Sequence, residues 1–269
     1  GLNVLWASAS GDIAWWASAR LPIRPDGVNP AFILNGSTSQ ADKLGFYPFS
    51  DNPQELNPRR GYIMSANHQP VPASGIRIPG YYNLPDRAQR LSDLLDDPAI
   101  KWDLQNSQAV QLDSASGYPQ RVLQPLLGDL QAAAADDQER ALVEQLSNWN
   151  GDHQLDSVTA TLFNQLVYEL ALNAMQDELG ADFFNNLLAT RILDQALPRL
   201  AADANSPWWD QVGTPDPESR ADTVKRAWQQ SLQQLRKTLG NDSSQWQWGP
   251  AHTLTHNHPL GQQKPLDLL

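Results

Sequence analysis

The sequence predicts an α+β fold, with β-strands at both ends and a largely helical insertion between them. Three observations carry this. Residues 2–18 alternate with period two around a glycine turn. From 86 to 240, apolar residues recur at helical spacing between capping residues. From 246 to 260 the texture turns extended again. Strands and helices are segregated, which argues against a run of βαβ units. The expected organisation is strand and loop over 1–85, helices over 86–240, and a return strand and tail over 241–269.

In the first segment Leu2, Val4 and Trp6 share one face, and Ile13, Trp15 and Ala17 resume the alternation. Ser10-Gly11-Asp12 lies between, so the segment reads as a hairpin. Residues 20–60 are loop-rich, with Pro22, Pro25, Pro30, Pro48, Pro53 and Pro58. Tyr62-Ile63-Met64 reads as a short strand. Pro70, Pro72, Pro79 and Pro85 then mark a long shaped loop of the kind that borders functional pockets.

Helices are expected over 88–95, 122–130 and 139–146, the second weakened by Pro125 and Gly128. A longer one starts at Asp156 or Ser157 and runs to Leu179, where Gly180 suits the C′ position. Leu162, Leu166 and Leu170 form its apolar stripe. Two more fit 183–200 and 220–239, the last followed by Gly240.

Composition excludes several classes. With 269 residues, 41% of them hydrophobic, the chain can bury a core and form one or two domains. A net charge of −11 argues against a nucleic-acid partner, which needs Lys and Arg to neutralise phosphates. No cysteine is present, so disulfides and thiolate metal sites are excluded. No apolar run approaches the roughly 20 residues of a membrane-spanning helix. No charged and apolar leader is visible at the start.

Several segments together resemble one family. Gly61-Tyr62-Ile63-Met64-Ser65-Ala66-Asn67-His68-Gln69-Pro70, then Pro85-Asp86-Arg87, resembles the oxyanion-hole segment and following helix of the penicillin acylase family of N-terminal nucleophile hydrolases. Asn3-Val4-Leu5-Trp6-Ala7 with Ser10-Gly11-Asp12-Ile13 is similar to the family's first strand pair. Arg20-Leu21-Pro22-Ile23-Arg24, Gly45-Phe46-Tyr47-Pro48-Phe49 and Asn57-Pro58 follow in the family's order. So do Trp248-Gly249, His252 and His258-Pro259-Leu260-Gly261.

The resemblance implies part of an αββα sandwich from the large subunit of an amidohydrolase. In that family the first residue of the large subunit, usually serine, is the nucleophile, and its own α-amine is the base. This chain begins Gly1-Leu2-Asn3, so it reads as an internal piece whose nucleophile lies elsewhere. By the same resemblance Asn67 is the oxyanion donor, and Arg87 orients Asn67 or the substrate's polar end. Candidate substrates are β-lactam side chains and N-acyl-homoserine lactones. The implied partners are the other segments of the processed precursor: the alpha subunit and the serine-starting part of the beta subunit. The implied location is periplasmic or otherwise extracytoplasmic. A non-catalytic binding module or degenerate homologue is the alternative.

Departures matter. His68 stands where many members carry a second asparagine. The family's structural calcium uses a proline carbonyl, matched by Pro30, and an aspartate in the loop after the asparagine. No Asp occurs between Asn67 and Pro85, so this part alone does not define a calcium site, and the chemistry requires no cofactor.

Plainer readings compete. Asn67 alone fits a turn asparagine, and Arg87 a surface arginine in a first helical turn, where the dipole disfavours it. His252, His256 and His258 would share a strand face, yet an extended chain spreads them too far to converge on one ion. The ten tryptophans are read as core or a domain seam. The acids at 96–97 and 136–139 are read as solvated loops or helix starts.

Overall fold

The computed structural model describes residues 2–70, 75–76, 78, 80, 82–255, 261 and 264. The chain forms two compact units, 1–112 and 113–269.

In the first unit the hairpin forms as expected. β1 (Leu2–Ala7) pairs antiparallel with β2 (Ile13–Ser18), placing Val4 opposite Trp16 and Leu5 opposite Trp15. Gly11 makes the turn at φ 95°, a region that favours glycine. β3 (Pro22–Ile23) pairs with β4 (Gly45–Phe46), and β5 (Gln54–Leu56) adds to the far edge of β2. The helices α1 (Asp86–Leu95) and α2 (Leu104–Gln111) also belong to this unit. The sequence reading missed α2 because its residues are mostly polar; Asp103 caps it by accepting from the Asn106 N–H at 2.8 Å.

The first unit has little core of its own. Its buried apolar residues among those described are Ala14, Trp15, Ala66 and Ala88. All six residues of β1 are exposed, including Leu2, Val4, Leu5 and Trp6. Phe32, Ile33, Leu44 and Phe49 are exposed as well.

The second unit is helical and densely packed. α3 (Tyr118–Ala133), α4 (Asp137–Asn148), α5 (Val158–Leu179), α6 (Ala181–Leu188), α7 (Ile192–Ala202) and α8 (Arg220–Leu239) surround one core. Leu162, Leu166 and Leu170 of α5 are 0–2% exposed, so the expected stripe is core. Burying each such leucine contributes about 1.5–3 kcal/mol. Ser157 caps α5 by accepting from the Ala160 N–H, and Gly180 ends it at φ 74°. Ser219 and Asp222 form a reciprocal capping box at the start of α8.

Four expectations are corrected, three of them within residues 62–200. α3 runs unbroken through Pro125 and Gly128, because Val122, Leu123, Leu126 and Leu130 all bury against the core. The single helix expected over 183–200 is two. Between α6 and α7 the Thr190 hydroxyl donates to Leu187 O and accepts from the Ile192 N–H, holding a turn. Residues 62–65 form no strand ladder, since no described strand runs beside them.

At the far end, residues 243–245 make a 3-10 turn and α9 (Trp248–Ala251) a short helix, where extended chain was expected. Pro72, Pro79, His256 and His258 lie outside the described residues. No described helix is long and apolar enough to cross a membrane.

Candidate active site

The candidate site is built on the first unit, where the segment 61–70 meets the start of α1. Ala66 is buried, and the next residue, Asn67, turns out of the core at φ 57°. Asparagine is one of the few residues that enters this left-handed region readily. The turn is pinned by Asn83, whose backbone N–H donates to Asn67 O at 2.9 Å. Lower in the segment, Met64 Sδ lies 3.9 Å from Ser92 Oγ of α1.

Arg87 closes the arrangement. Its Nη2 donates to Ala66 O and to Asn67 Oδ1, each at 2.8 Å. Arg87 occupies the first turn of α1, where a cation gains nothing from the helix dipole. The two carbonyl acceptors supply the missing reason for its placement. Guanidinium can only donate, so the atom facing it must be the amide oxygen. That fixes the amide orientation and turns Asn67 Nδ2 away from Arg87. Among the described residues Nδ2 donates to no protein group, and Asn67 itself is exposed.

The structure therefore brings Asn67 and Arg87 together across twenty residues. His68 follows directly, and its Nδ1 is buried without a hydrogen-bond partner among the described residues. Sequence reasoning missed Asn83. Its backbone N–H holds Asn67 O and its Nδ2 donates to Ala66 O at 3.4 Å, partners distant in sequence that residue type alone does not name.

A second turn organises the same unit. Asn57 sits at φ 47°, and its N–H donates to Ile13 O at 2.9 Å. Its Oδ1 accepts from the Ile13 N–H and its Nδ2 donates to Asp12 Oδ1, both at 2.9 Å. The bond from Asn57, with those from Ser10 and Ser8, holds the Asp12 carboxyl below the usual carboxylate range. Two of the sequence segments quoted above thus form one clip behind the hairpin.

No group of three His, Cys, Asp or Glu side chains suited to a metal occurs among the described residues. His252 stacks on Trp248, with ring centroids 4.4 Å apart and planes 7° from parallel. The acids at 136–139 are helix-start groups, as read, with one exception. Glu139 is not solvated: it is buried and accepts from Trp228 Nε1 at 3.1 Å. The tryptophans divide, with Trp209, Trp228 and Trp246 in the core and Trp6 and Trp102 exposed.

Comparison with known proteins gives the family. The fold matches a thermostable penicillin G acylase from Alcaligenes faecalis with a TM-score of 0.66 and 21% identity. The match covers 91% of this chain and 48% of that one. The chain thus shares the fold of that acylase over most of its length. The chain belongs to the penicillin amidase family, whose sequence model matches residues 1–268. It is 27% identical over 282 residues to an acyl-homoserine lactone acylase, QuiP, of Pseudomonas syringae pv. tomato. It is 26% identical over 270 residues to the QuiP of Pseudomonas aeruginosa. These alignments cover 97% and 94% of this chain but 34% and 31% of the relatives. The chain spans about a third of the length of the curated relatives it matches.

Proposed function

We propose that this chain is part of the large subunit of an acylase that hydrolyses a non-peptide amide, with Asn67 as an oxyanion donor and Arg87 as its positioning residue. The observation that carries the reading is the Arg87–Asn67 bond, which engages the amide oxygen and leaves the asparagine N–H groups uncommitted to any described residue.

The chemistry needs such a donor. A serine hydroxyl adds to the amide carbonyl while the serine's α-amine, acting through water, takes its proton. The carbonyl oxygen becomes an oxyanion. Collapse expels the amine, which takes up a proton, and leaves an acyl-enzyme that water then cleaves. A donor already pointed at the oxyanion needs no reorganisation during the reaction, and losing one costs about 10²–10³ in rate. In this reading the serine belongs to another segment of an autoprocessed precursor. The exposed apolar face of β1 and of the 20–60 loops is where those segments pack. The protein works outside the cytoplasm.

N-acyl-homoserine lactones are the favoured substrates, because the relatives at 26–27% identity are named for that activity. The likeness to penicillin G acylase supports the fold and not the substrate.

The test uses the complete protein. Intact masses and N-terminal sequences of all its polypeptides are determined, and homoserine lactone release from N-acyl-homoserine lactones is assayed. A polypeptide beginning with serine, together with lactone release, is expected. A complete protein with no serine-starting species contradicts the reading.

A further inference from the structure

We infer that an open pocket of mixed lining between α5 and α8 of the helical unit binds a small neutral polyhydroxylated ligand, a sugar or polyol. The inference is independent of the acylase reading. The cavity measures about 360 Å³, and its polar wall is Asn173, Gln176 and Asp177 of α5, Gln211 of the preceding loop of α8, and Gln230 of α8. Its volume suits a small molecule, but such sites are usually lined by apolar side chains. Here five of the seven lining residues are polar.

The wall is fixed by bonds that leave its other polar atoms uncommitted. Asn173 is only 6% exposed. Its Nδ2 donates to Glu169 O at 2.8 Å and to Gln230 Oε1. Those bonds orient both amides, leaving Asn173 Oδ1 as an acceptor and Gln230 Nε2 as a donor, neither bonded to a described protein group. Asp177 Oδ2 accepts from the Val212 N–H at 2.7 Å. The Gln211 N–H donates to Glu218 Oε2 at 3.0 Å, which holds its loop in place. The Gln176 and Gln211 side-chain amides make no hydrogen bond to the described protein.

This set matches hydroxyl groups. A hydroxyl both donates and accepts, a carboxamide offers both functions side by side, and a carboxylate accepts from two neighbouring hydroxyls. The other ligand classes fit less well. An anion would face Asp177, and no described group of three acids or histidines suits a metal. A wall ordered before binding also loses less entropy on association.

The experiment is a calorimetric titration of the complete protein with glucose, galactose and myo-inositol, and with putrescine as the cationic comparison. It is repeated on Gln176→Ala/Gln211→Ala, whose side chains make no hydrogen bond to the described protein and whose thermal midpoint should lie close to the parent's. At least one sugar or polyol is expected to bind saturably in the millimolar range, about tenfold or more weaker in the double variant. Absence of saturable sugar or polyol binding, binding of putrescine alone, or sugar affinity unchanged in the double variant would each overturn the inference.

Discussion

The guanidinium of Arg87 bonds the side-chain oxygen of Asn67 and the backbone carbonyl of Ala66 from a single nitrogen, at 2.8 Å each. One cation thus holds both the turn and the amide on it. An asparagine free to rotate would offer its oxygen to a developing oxyanion half of the time. Held this way, it offers only N–H groups.

Coupling between these residues follows. In the complete enzyme Arg87→Ala is expected to lower kcat by about tenfold or more through loss of amide orientation. Adding Arg87→Ala to an Asn67→Ala background should then cost little further, because residues that act through one contact are not additive. A double-mutant cycle on kcat checks this. Independent, additive losses would show that Arg87 acts on something other than Asn67.

The helical unit has its own buried acid. Glu139 accepts from Trp228 Nε1 and, at 2.9 Å, from the Ala135 N–H, with Arg236 3.7 Å away. Trp228 is fully buried, so removing its acceptor strands a donor. Glu139→Ala is expected to destabilise the helical unit by about 2–3 kcal/mol, and Glu139→Gln by less, because the amide oxygen still accepts. Urea unfolding followed by tryptophan fluorescence measures both.

Stability should also depend on pH through Glu169. Burial raises its carboxyl above the ordinary glutamate range, against the lowering effect of the bond from Gln165 Nε2. Below the unfolded-state value both states hold the proton, and the contribution is fully present. As pH rises through and above that value, the unfolded chain releases its proton first, and stability falls until the folded-state value is passed. Glu169→Gln removes the ionisation and keeps the bonding partner. Thermal midpoints from pH 4 to 8 should fall less steeply in Glu169→Gln than in the parent; identical slopes would contradict the assignment.

The legible parts of this sequence were those specified locally. The hairpin around Gly11 and the helices bounded by Ser157 and Gly180, and ending before Gly240, carry their own turn and cap residues. The break at Thr190 depends on one hydroxyl bonding two backbone groups, a choice that residue type leaves open. The passage of α3 through Pro125 was decided by burial against helices distant in sequence. The site was legible as residue types in a family pattern, at Asn67 and Arg87. The atoms they bond were not, because these rest on Asn83 and Arg87 meeting Ala66 and Asn67 across a long separation in sequence.

The most direct measurement is kcat of Asn67→Asp in the complete, processed enzyme. Aspartate tolerates the left-handed turn and keeps an oxygen for Arg87, but it has no N–H to donate. A loss of about 10²–10³ in kcat with a modest change in KM is the predicted result. A kcat close to that of the parent would contradict the assignment of Asn67 as the oxyanion donor.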